Sequence, residues 1–79
     1  MDDLGAPISY LVLEKGTDVY FSDGEKHGKV HEVRADRQRD IFEAILVDTT
    51  PLIPGGVKEI PADRIEGIYE RGVVITPEG

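Results

Sequence analysis

The 79-residue sequence predicts an all-β fold, a small six-stranded antiparallel β-barrel with one short helical turn near residues 61–65. Two observations carry this reading. Short apolar runs recur at intervals of about ten residues, each bounded by Gly, Pro, Asp or Ser, as in small barrels and sandwiches. The stretch 18–48 also reads as a three-strand meander. Val19, Phe21, Val33, Ala35, Phe42, Ala44 and Leu46 would alternate onto its inward face, because successive strand side chains point to opposite sides.

The elements follow in order. Residues 1–9 carry Gly5 and Pro7 and read as a flexible N-terminal tail. The domain proper spans 10–76, and 77–79 form a frayed end. Ile8-Ser-Tyr-Leu-Val-Leu is more apolar than a free tail. It is expected as a short strand or a docked segment, with an arm exchanged in a homodimer as the alternative. Asp18-Val-Tyr-Phe is the first strand, and Ser22-Asp-Gly supplies a turn in which Gly24 takes a positive φ. The second strand, 29–36, is out of phase, since Val30 cannot share a face with Val33 and Ala35. A β-bulge near His31 or Glu32 would repair the register and bend the strand. Arg37-Gln-Arg is a hairpin tip. The third strand, 41–47, is apolar on both faces apart from Glu43, so both are expected to be covered. Residues 48–56 form a Pro- and Gly-rich loop bearing Leu52 and Ile53. Val57-Lys-Glu-Ile-Pro is a fourth strand that Pro61 ends or places at an edge. A helical turn follows, then strands at 65–70 and 73–76, separated by Arg71-Gly72.

A chain this short buries only about 60% of the surface its unfolded form exposes, so its core is small. Its composition, 39% hydrophobic and 32% charged, is that of a globular domain. The net charge of −7 opposes direct nucleic-acid binding; it is expected first to maintain solubility, with a basic protein the better-suited partner. The absence of cysteine excludes disulfides and thiolate chemistry and fits a cytoplasmic protein. The acidic start, Met-Asp-Asp-Leu-Gly, is not a signal peptide, and no apolar run approaches the ~20 residues that span a bilayer.

No motif marks a catalytic centre, and the chain is expected to be neither an enzyme nor the holder of a cofactor or metal. His27 and His31 would stand ~13 Å apart on a flat strand, too far for one ion, and are expected on the surface. Asp23-Gly-Glu resembles a fragment of a calcium loop but lacks the further oxygen ligands, and a plain turn accounts for it. Gly55-Gly56 is not followed by the Lys-Ser/Thr of a phosphate loop, and no hydroxyl sits in a nucleophile elbow. The cluster Arg34, Arg37 and Arg39 is flanked by Asp36 and Asp40, so neutralisation at the surface is expected. What remains is contact with a protein partner or with a second copy. The candidate contact residues are Tyr10 and Val12 on the arm, Ile45 and Val47 on the two-faced strand, and Leu52 and Ile53 on the loop.

Val19-x-x-x-Asp23-Gly24-x-x-x-Gly28-x-Val30, then Ile45-Leu-Val-Asp, then Ile60-Pro-Ala-x-x-Ile65, then Gly72-Val-Val, appear in the order and spacing of one known family. Over residues 10–76 the chain resembles the PRC-barrel domain, and most of all its small stand-alone bacterial members, notably actinobacterial ones. The resemblance implies a six-stranded β-barrel without catalytic residues. The family occurs in the cytoplasmic domain of the photosynthetic reaction-centre H subunit. It also occurs in a ribosome maturation factor, where it binds a ribosomal protein. The resemblance therefore implies a non-enzymatic interaction module, with a ribosome-assembly or RNA-processing accessory acting through a basic ribosomal protein as the alternative.

Overall fold

The computed structural model describes residues 3–49 and 56–77. Six strands make one sheet: β1 (Asp18–Phe21), β2 (Lys26–Asp36), β3 (Ile41–Asp48), β4 (Val57–Pro61), β5 (Ile65–Tyr69) and β6 (Gly72–Ile75). Their spatial order is β4-β3-β2-β1-β6-β5. All neighbours are antiparallel except β1 and β6, which run parallel. The chain is thus all-β, but the expected closed antiparallel barrel needs correcting. The sheet is mixed, and its ladder does not join β5 to β4.

The reason lies in how β4 becomes β5. Counting directions through the ladder, β4 and β5 run the same way, linked only by the single 3-10 turn Ala62–Arg64. They are successive halves of one interrupted ribbon. The first half bonds to β3 and the second to β6. Pro61, with φ −67° and ψ 155°, starts the turn. Lacking an N–H, it cannot donate to a ladder beyond this point. Beyond the turn, the Thr76 N–H donates to the Arg64 carbonyl at 2.8 Å, and an Arg64 Nη donates to the Thr76 carbonyl at 2.7 Å. In a flat sheet the outer strands would lie about 24 Å apart. The four residue steps from Pro61 to Ile65 reach about 14 Å at most. The sheet must therefore curl.

Curling is assisted by four bulges, located by where the strand register slips. His27 and His31 are the extra residues on β2, Glu43 on β3 and Glu66 on β5. The His31 bulge is the one the phase of Val30 and Val33 demanded. The Glu43 bulge was not expected, and it reverses the reading of β3. Phe42 packs on the core before it, whereas Ile45 and Val47 are the fully enclosed residues after it and Leu46 is only half-buried. Ala44, on the other face, is buried as well, so β3 is covered on both sides. Val19, Val30, Ile45, Val47, Ile60, Val73 and Ile75 make up the core. Val30 faces Val47, Ile45 faces Ile60 and Val19 faces Val73 directly across strands, the arrangement in which apolar pairs contribute most to a sheet.

The segment 1–9, expected as a flexible tail, is hydrogen-bonded to the domain over its described part. Residues 4–8 run beside the β5–β6 hairpin. The Arg71 N–H donates to the Leu4 carbonyl, the Glu70 N–H to the Ala6 carbonyl, and the Ile8 N–H to the Ile68 carbonyl. An edge strand carries unpaired backbone groups, and the arm covers the end of the β5 edge, bonding the Ile68 carbonyl and, just past the strand, the Glu70 and Arg71 N–H groups. The base of the 48–56 loop is tied where Thr49 Oγ1 donates to the Gly56 carbonyl at 2.6 Å. Leu52 and Ile53 lie outside the described residues.

Gly28 is where β2 is squeezed hardest. A Cβ there would collide with the Asp48 carbonyl oxygen and would stand 2.9 Å from Val47 Cγ1. The first obstacle is backbone, which cannot move aside cheaply. Gly28→Ala should lower unfolding free energy by about 1–3 kcal/mol, the usual effect of overpacking, in urea titrations followed by circular dichroism. An unchanged midpoint would contradict this packing.

Candidate functional site

Two surfaces offer chemistry, and the first is the N-terminal arm. After Pro7 the chain makes a single 3-10 turn, Tyr10–Val12, capped by Ser9, whose Oγ accepts the Leu11 N–H. In a turn of three residues, positions i and i+3 share a side. Tyr10 and Leu13 accordingly face the sheet, while Leu11 and Val12 face outward, 48% and 60% exposed. The Tyr10 ring stacks on Phe42, with centroids 4.9 Å apart and planes at 11°. Its hydroxyl donates to Asp40 Oδ1 at 2.7 Å. That hydrogen bond holds the Tyr10 phenol above its ordinary pKa. Asp40 closes the β2–β3 hairpin with φ +55°, and Asp36 Oδ1 caps the same turn by accepting the Gln38 and Arg39 N–H groups. The arm thus packs in cis, fastened at one end to β5 and at the other to β3. Beside it, Ile8, Val12, Glu14, Thr17 and Glu70 line a shallow concavity with two carboxylates.

Of the residues expected at a contact surface, Tyr10 and Val12 lie together on this arm. Ile45 and Val47 do not lie on the surface: both are 0% exposed in the core. The Glu43 bulge turns them inward, so they hold the fold rather than present a contact. Leu11 joins Val12 as an exposed contact candidate. Both are exposed because the 3-10 turn carries Val12 off the side of Tyr10, where an extended arm would have kept it.

The second surface is a concavity of about 560 Å³ at the break between β4 and β5, lined by Phe21, His27, Lys58, Glu59, Ile60, Arg64 and Pro77. His27 was expected on the surface, but its bulge turns it in. It is 8% exposed, with its ring 4.6 Å from Phe21 and tilted by 53°. Burial first, then the positive charges of Arg64 and Lys58, hold its imidazole below the ordinary pKa. His27 Nδ1 and Arg64 Nε are buried without a hydrogen-bond partner. Among the described residues no group of three or more His, Asp or Glu gathers where it could hold a metal ion. No described helix is long and apolar enough to cross a membrane.

The lowered His27 pKa has a consequence for stability. Below about pH 6.5 the unfolded chain takes up a proton that the folded chain resists. His27 therefore withdraws stability as pH falls from about 6.5 towards its folded pKa, and has no such effect above that window. Asp18, bridged to Lys29 at 2.9 Å and Lys26 at 3.1 Å, has a lowered pKa chiefly through the Lys29 hydrogen bond. Its contribution is present above the ordinary carboxylate range and lost only as pH falls through its folded value. Urea unfolding should show a lower free energy at about pH 5.5 than at about pH 7.5, and His27→Gln should flatten that difference. Equal slopes in both proteins would remove His27 from the explanation. Set against known proteins, the chain matches no family and no curated protein.

Proposed function

We propose that the chain is a non-enzymatic, PRC-barrel-like module of the cytoplasm whose arm receives a protein partner. The observation that carries this reading is the pair Leu11 and Val12, 48% and 60% exposed on a segment fixed at both ends. A loose tail can expose aliphatic residues at little consequence. A segment already ordered by the Tyr10–Phe42 stack and the β5 hydrogen bonds presents them with the ordering entropy largely spent, which favours binding. The interior supports the same reading, because a small curled sheet filled by its own side chains leaves its outer surface for work.

The occupant is a basic segment with an apolar face. Glu14 and Glu70 border the concavity beside Val12, and the whole chain carries −7. Two such copies repel at long range, whereas a cationic partner is drawn in. A basic ribosomal protein would supply this chemistry, as the family resemblance implies for the accessory role.

An amphipathic peptide of alternating Lys and Leu tests the surface. Titrated into 15N-labelled protein, it should produce saturable amide shifts centred on Leu11, Val12, Glu14 and Glu70, absent in the double variant Leu11→Asp, Val12→Asp. Light scattering should give a monomer mass throughout. Shifts centred elsewhere, or retained in the double variant, would overturn the assignment. A dimer abolished by the double variant would replace the basic partner with a second copy.

A further inference from the structure

The concavity at the β4–β5 break runs against the charge of the molecule. In a chain of net charge −7, its wall gathers Lys58 from β4, Arg64 from the 62–64 turn and the imidazole of His27 from β2. Glu59 is the one acid among the described residues lining it, so their formal charge is net positive even with His27 neutral. Elsewhere, four of the seven other cations meet a carboxylate: Lys26 and Lys29 share Asp18, Arg34 meets Glu32 and Arg39 meets Asp36. Among the described residues, neither Lys58 nor Arg64 makes an ion pair.

We propose that this concavity binds a small oxyanion, a carboxylate or a phosphate group, between Lys58 and Arg64 and against His27. Three observations support it. Arg64 is held in place, since one Nη donates to the Thr76 carbonyl at 2.7 Å, yet its Nε has no acceptor. A guanidinium held through one Nη with further N–H donors unspent suits a planar or tetrahedral oxyanion. His27 is more than nine-tenths buried with Nδ1 unpartnered, and a buried polar atom without a partner calls for an explanation that an incoming ligand or its water supplies. A bulge, a common device for re-aiming a side chain beside a functional site, is what places His27 there. Phe21 and Ile60 close the apolar side and lower the local dielectric, which strengthens each charge–charge contact. The wall suits a monoanion when His27 is neutral and a dianion when it is protonated.

The ring signals of His27, followed by long-range 1H–15N NMR at about pH 6 with exposed His31 as the internal control, read out occupancy. Inorganic phosphate, and in a parallel series acetate, should shift His27 saturably with millimolar half-saturation while His31 stays in place. Sodium chloride at matched ionic strength should not reproduce the shift. Lys58→Gln, at an exposed strand position that leaves the fold intact, should weaken binding about three- to tenfold. A response to one anion alone assigns the site to that group. A shift that never saturates, that chloride reproduces, or that Lys58→Gln leaves unchanged overturns the proposal.

Discussion

The ribbon that begins as β4 and ends as β5 serves both margins of the sheet, and the short turn between its halves sets the curvature of the whole. With about 14 Å of chain between Pro61 and Ile65, margins that a flat sheet would hold about 24 Å apart must be drawn together. Once they are, Ile60 and Ile65, on either side of the turn, belong to or pack against one core with Ile45 and Ile75. The bulges at His27, His31, Glu43 and Glu66 follow from this demand, since each adds a residue to one strand and deepens its bend. The same break stops the ladder from closing. Two halves of one ribbon, running the same way at successive heights, cannot pair with each other.

How far this could be read from the sequence depended on whether the pattern left a choice. Val30 and Val33 cannot both face inward on a regular strand, so a bulge near His31 was forced. On β3 no such conflict exists. Phe42, Ala44 and Leu46 make one consistent apolar face and Ile41, Ile45 and Val47 another, so an unbroken strand looked self-sufficient and the Glu43 bulge left no trace. The regular pattern accordingly makes Ile45 and Val47 candidate contact residues on the face opposite Phe42, whereas they are the most enclosed on the strand. The inward turn of His27 is hidden from the sequence for a related reason. Its inward turn depends on Gly28 passing against the Asp48 carbonyl, a contact between residues 20 apart in sequence. The parallel pairing of β1 with β6 is likewise non-local, and alternation within either strand says nothing about its neighbour's direction.

The arm shows the same logic at the margin of the sheet. By hydrogen bonding along the outer side of Ile68, Glu70 and Arg71, it removes a template on which another chain could add a strand. It then crosses to Phe42, where the stacked Tyr10 fixes the 3-10 turn and thereby decides that Leu11 and Val12 point away from the protein. Edge protection and the presentation of an apolar pair come from one segment. A change that released Tyr10 would expose the β5 edge and scatter the contact surface together.

Electrostatics separates the two surfaces. Arg64 precedes β5 and Glu70 follows it, so the cationic concavity and the acidic one beside the arm stand at opposite ends of that strand. Six residue steps in extended chain are roughly 20 Å, more than twice the screening length of about 8 Å at physiological salt. Charge brought to one end is therefore scarcely felt at the other. A basic partner at Glu14 and Glu70 would not have to compete with Lys58 and Arg64, and an anion between those cations would be shielded from the acids that dominate the remaining surface. The net charge of −7 describes how the molecule looks from afar. Within a Debye length it presents two faces of opposite sign, each held in position by the strand that separates them.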